Sequence, residues 1–98
     1  MLLQLVGIDR VDNRALVNFD RRVNSLVRRR RGGDAPNLQL RICKVDGARC
    51  AGDLHITHEG ETFRYAAEGP DAKGVLIDIL ARVMKEFRFS LTDLIKCG

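Results

Sequence analysis

The 98-residue chain lacks almost every feature that catalysis or membrane insertion relies on. It has two histidines and three cysteines, and neither set is spaced to hold a metal or to build a nucleophile. Cys43, Cys50 and Cys97 are odd in number and contain no C-x-x-C pair. That argues against a disulfide framework or a zinc site and fits a reducing cytosol. None of the three has a partnered base, which a nucleophilic cysteine needs. His55 and His58 lie on one predicted strand and its turn, so they point to opposite faces and do not converge on an ion. No apolar run approaches the roughly 20 residues of a bilayer-spanning helix. The opening MLLQLVGIDR has neither the positive flank nor the small-residue cleavage site of a signal peptide. No glycine-rich loop opens a helix as a phosphate cradle must; Gly32-Gly33 closes one instead. Repeats, linkers and low-complexity segments are absent too. Aromatic residues are only 5% of the chain. Phe19, Phe63, Tyr65 and Phe87 fall on faces expected to be buried, and Phe89 alone is placed outside by the helical period. The chain is therefore expected to be no enzyme, with no cofactor, metal, membrane or small-molecule substrate.

What is present is arginine, concentrated in one element. Residues 1–31 hold eight Arg against three Asp, a balance of +5, whereas residues 32–98 hold nine basic against ten acidic residues. Charge placed this way points to a directed anionic partner such as nucleic acid, because a diffuse charge would only aid solubility. The segment Val11 to Arg31, VDNRALVNFDRRVNSLVRRRR, reads as an amphipathic helix. Leu16, Phe19, Val23, Leu26 and Val27 recur at three- and four-residue steps and define its buried face. Arg14, Arg21 and Arg28 line up opposite them, with Arg29 beside, about 10 Å apart per seven residues along the axis. Between Arg21 and Arg31 the outward face is expected to carry six Arg and no acid.

The remaining elements follow from alternation and turn chemistry in what reads as a single domain over residues 1–98. Leu3 and Leu5 mark a strand of about six residues. Asp12 is placed to cap the arginine helix and Gly32-Gly33 to end it, with basic residues in its last turn. NLQLRICKV reads as a strand with Leu38, Leu40 and Ile42 on one face. Asp46-Gly47 marks a turn within a loop expected to run to about Gly52. DLHITH follows, with Leu54 and Ile56 inward. Glu59-Gly60 is a tight hairpin turn, and ETFRYAAEG returns with Phe63, Tyr65 and Ala67 on one face. Gly69-Pro70-Asp71 opens a second helix with Ala72, Val75, Leu76, Ile79, Leu80, Val83 and Phe87 as core positions. The tail from Ser90 is compatible either with extending that helix or with docking as a short turn. The fold class is α+β, in the order β-α-β-β-β-α: a four-stranded sheet with two helices on one face and the other face wet.

Three stretches resemble one family, the ribosome hibernation-promoting factors and ribosome-associated inhibitors, also known as sigma-54 modulation proteins. MLLQLVG is similar to the family's opening strand and its closing glycine. DNRALVNF is similar to its A-L-x-x-[FY] step after the first turn. LHITHEGETFRYAAEGPDAKGVLIDILARVMKEF resembles its strand, turn, strand, A-x-E-G-x-D and amphipathic helix. Together these cover nearly the whole chain in order, with gaps around residues 30–37 and 46–52. The departures are Lys73, where members often have an aromatic residue, and the mixed Lys85-Glu86-Phe87-Arg88-Phe89, where the second helix usually ends strongly basic.

The resemblance implies a fold similar to double-stranded-RNA-binding domains and the short form of the family, without its extra dimerising domain. It also implies a cytoplasmic stress-response role: binding rRNA of the small ribosomal subunit in the channel used by mRNA and tRNA, with translation blocked during slow growth. On that reading Arg14, Arg21, Arg22, Arg28, Arg29 and Arg31 contact rRNA, and the resemblance alone adds Arg82 and Lys85 on the second helix. Six such contacts with single-stranded regions predict a log K against log salt slope of about −4. Arg41, His55, Thr57 and Arg64 are candidates for neighbours on the open sheet face, where polar residues are needed in any case. The alternative, motivated by the weakly basic second helix, is a protein-interaction module of the same fold that no longer binds ribosomes.

Overall fold

A computed structural model describes residues 1–87, and the tail from Ser90, Phe89 and Cys97 lie outside the described residues. The elements are β1 (Leu2–Val6), α1 (Asn13–Arg31), β2 (Asn37–Asp46), β3 (Arg49–His58), β4 (Glu61–Gly69) and α2 (Ala72–Phe87). The strands form one sheet in the order β1-β2-β3-β4. β1 runs parallel to β2, and the other neighbours are antiparallel. The parallel pair requires a crossover that returns the chain to the starting end of the sheet, and α1 supplies it.

Local chemistry sets the ends of these elements. The Asp12 side chain accepts from the Arg14 N–H at 3.1 Å and caps α1. Gly32, at φ 72°, donates its N–H to the Arg28 carbonyl at 2.7 Å and ends that helix. Asp71 caps α2 by accepting from the Gly74 N–H at 2.7 Å. Glu59 and Gly60 both take positive φ, 49° and 84°, as a two-residue hairpin turn demands.

Strand alternation sorts the sheet into two faces. Leu38, Leu40 and Ile42 of β2, Leu54 and Ile56 of β3, and Tyr65 and Ala67 of β4 are buried on one of them. The register confirms the shared side: Leu40 stands opposite Leu54, and Leu54 opposite Tyr65. Phe19, Val23 and Val27 of α1 and Val75, Leu76, Ile79, Val83 and Phe87 of α2 complete this core. α2 lies against β3 and β4, and α1 lies beside α2. Leu16, Leu26, Ala72 and Leu80 border the core and are only partly covered.

One expectation fails. Residues 46–52 are not a loop: β2 runs through Asp46, β3 starts at Arg49, and only two residues turn between them. Gly, Ala and Asp in that stretch suggest irregular chain when read locally. Gly52 is glycine for a tertiary reason, since a Cβ there would run into the Val75 side chain and stand 3.1 Å from Cδ1 of Ile79. The strand is bare at this point because α2 packs directly on it.

Candidate nucleic-acid interface

Arg14, Arg21, Arg22, Arg28 and Arg29 are all exposed on the side of α1 turned away from the core. None of their side chains makes a hydrogen bond or ion pair among the described residues. Asp20, the only acid within α1, is half-buried and accepts from Asn24 at 3.0 Å, off the arginine side. The face also carries Asn18, Ser25 and the exposed Val17, so it is cationic without being wholly arginine. Arg21, Arg22 and Arg29, together with Ser25, Leu26 and Met84 of α2, line a shallow hollow of about 300 Å³. Guanidinium groups on an open face that form no ion pair among the described residues are available for phosphate, which their planar fork meets with two hydrogen bonds.

Arg31, expected to point outward with the others, does not belong to that face. It is half-buried: its Nε donates to Nδ1 of His58 at 3.0 Å and its Nη2 pairs with Glu61 at 3.0 Å. Its Cζ also lies 5.1 Å from the centroid of the Phe63 ring. His58, buried beneath it, donates from Nε2 to the Asp34 carbonyl at 3.0 Å. Arg31 thus fastens the end of α1 to the β3–β4 hairpin. In the helical period it stands about a quarter turn from the arginine ladder, but only the hairpin's position turns it inward. Replacing Arg31 with Met strands the buried imidazole acceptor at a cost of about 1–3 kcal/mol. Thermal unfolding should then fall by roughly 5–15 °C, while affinity for a polyanion changes little. Arg30, also expected on the outward face, is exposed but lines a hollow with Arg31, Phe63 and Phe87, apart from the arginine ladder.

The two cations expected on α2 are placed apart from those of α1. Arg82 and Lys85 line a separate hollow against β4, with Arg64, Tyr65 and Glu86. Arg82 pairs with Asp78 one turn earlier at 3.6 Å, a solvent-exposed contact of small energetic weight. Tyr65 donates its hydroxyl to Glu86. Burial, together with the neighbouring Glu86, pushes the phenol well above its usual range, so Tyr65 stays a neutral donor at physiological pH. The helices share one side of the sheet, but their basic residues do not share one rim.

On the open face, His55 stands opposite Arg64, Arg41 opposite Asp53, and Thr57 opposite Thr62. Arg41, His55 and Arg64 line one concavity of about 470 Å³ with Gln4, Gln39 and Asp53. This grouping depends on strand order, which alternation along a single strand does not reveal.

No protein-family model matches the chain, and no curated protein matches it in sequence. Solved structures do match in shape. The N-terminal domain of Thermus thermophilus Protein Y is similar with a TM-score of 0.56 at 13% identity, covering 90% of this chain and 97% of that one. A ribosomal subunit interface protein from Coxiella burnetii is similar with a TM-score of 0.51 at 16% identity, covering 89% and 93%. The chain therefore has the fold of these two proteins.

Proposed function

We propose that this chain is a ribosome-associated translation inhibitor of the hibernation type, binding rRNA of the small subunit in the decoding channel. The observation that carries the reading is the acid-free outer face of α1, with five exposed arginines that pair with no carboxylate among the described residues. The fold shared with a ribosomal subunit interface protein supports a ribosomal partner. The arginines would grip phosphates, fixing the domain on an RNA shape without reading sequence. The sheet and α2 would then fill space that tRNA or mRNA needs. Arg82 and Lys85 supply a second, smaller contact on the β4 side. Inhibition of this kind is steric and electrostatic, works in the cytoplasm, and uses neither catalysis nor a cofactor.

Sedimentation of a lysate from slowly growing cells tests the proposal. At about 50 mM salt, where phosphate contacts still hold, the protein should travel with small subunits or whole ribosomes. With five arginines in play, log K against log salt should fall with a slope of about −3.5 on single-stranded rRNA. A protein that stays in the soluble fraction at low salt favours the interaction module, a reading that the internal Arg82–Asp78 pair on α2 also supports. A saturable turnover sensitive to His55 would instead place the chemistry on the open face.

A further inference from the structure

β1 is an edge strand, and its outer row of backbone N–H and C=O groups meets no other strand among the described residues. Proteins guard such edges with lysine, proline, a bulge or a covering segment, because an unguarded edge is a template for another strand. β1 has none of the first three. Its sequence, Leu2-Leu3-Gln4-Leu5-Val6, is uncharged, and its pairing with β2 runs without a register shift. Leu2, Leu3 and Val6 are exposed, Leu2 to 69%. Leu2 and Val6 share the open face with Gln39 and Cys43, their partners on β2, whereas Leu3 and Leu5 share the covered face with Leu40 and Ile42. The strand is thus apolar on both faces of the sheet, where a guarded edge would carry charge.

We infer that β1 is a self-association edge: a second copy of this chain pairs with it, antiparallel, about a two-fold axis at Gln4. The strand is complementary to itself in that register. Leu2 meets the partner subunit's Val6 on the open face, Leu3 meets the partner subunit's Leu5 on the covered face, and Gln4 meets its own counterpart. Each apolar residue faces an apolar residue in both directions, and no charge opposes another. Such isologous pairing joins the two sheets into one and keeps both helical layers on the same side. A pairing this short covers less than the roughly 1,200–2,000 Å² of a standard interface. The dimer is therefore weak, with a dissociation constant on the order of 0.1–1 mM. It needs no ribosome and stands or falls apart from the function proposed above.

Sedimentation equilibrium of the full chain, free of RNA, should show a monomer–dimer equilibrium in that range. The L2K/V6K variant sets lysine opposite lysine twice and should weaken association at least about tenfold. L2K/V6E removes the same apolar side chains but sets lysine opposite glutamate, and should return to within about threefold of the unaltered chain. Amide NMR spectra of both variants check that the fold survives. In a background with Cys43, Cys50 and Cys97 replaced by alanine, Gln4→Cys should cross-link to its own copy on oxidation, because residues facing across an antiparallel pair lie within disulfide reach. A monomer at every concentration, equal behaviour of the two double variants, or no cross-link at position 4 overturns the inference.

Discussion

Exchanging Arg21, Arg28 and Arg29 for glutamate should abolish ribosome association while leaving the domain folded. Each exchange moves two charges, so the formal net charge falls from +4 to −2. All three side chains are exposed and without a hydrogen-bond or ion-pair partner among the described residues, so the folded state loses no such bond. The remaining cost to folding comes from placing acids at 28 and 29, in the last turn of α1, against the negative end of the helix dipole. That is worth about 0.3–1 kcal/mol each, a drop of a few degrees in unfolding temperature. Binding should respond on another scale. A hydrogen bond to a charged group contributes about 1.5–3 kcal/mol, so three lost phosphate contacts weaken binding roughly a thousandfold or more. Co-sedimentation with small subunits and thermal unfolding, measured on one preparation, separate the two effects. Unfolding of the triple variant would show that these arginines support the core, and intact binding would remove α1 from the interface.

Gly52→Val should be the most damaging single substitution of stability in the sheet. Valine is a far better strand former than glycine, so propensity alone predicts a gain. The packing predicts the reverse, because the new Cβ occupies the place of the Val75 side chain and crowds Ile79. Overpacking of this kind costs about 1–3 kcal/mol and more where backbone must move. For a domain of this size that is a large share of the usual 5–15 kcal/mol. The unfolding temperature should fall by at least about 10 °C. Adding Val75→Ala clears the space, so the double variant should recover part of the loss, with a coupling of about 0.5–3 kcal/mol. Strictly additive effects would show that β3 and α2 do not meet there.

The contrast between these two positions explains how much of the molecule was legible in its sequence. The arginine face could be read directly because a helix repeats every 3.6 residues and one periodic pattern carries both its buried and its wet sides. The cap at Asp12, the stop at Gly32 and the turn at Glu59-Gly60 were legible for the same reason, since each is decided within a few residues of chain. Strand faces followed from alternation, and with them the whole β-α-β-β-β-α order. Gly52 was misread because its neighbour, Val75, lies 23 residues further along the chain.

By itself, then, the sequence determined the element order, the division of each element into a buried and a wet side, and a one-sided cationic helix. These are short-range properties, set by backbone geometry and by burying apolar side chains. Tertiary structure alone decided that Arg31 turns inward to His58 and Glu61, and that Arg82 and Lys85 stand on the opposite flank from the α1 arginines. It also decided that β1, with apolar side chains on both faces, is left at an edge. Each of these depends on which distant elements become neighbours, and no local period in the chain encodes that.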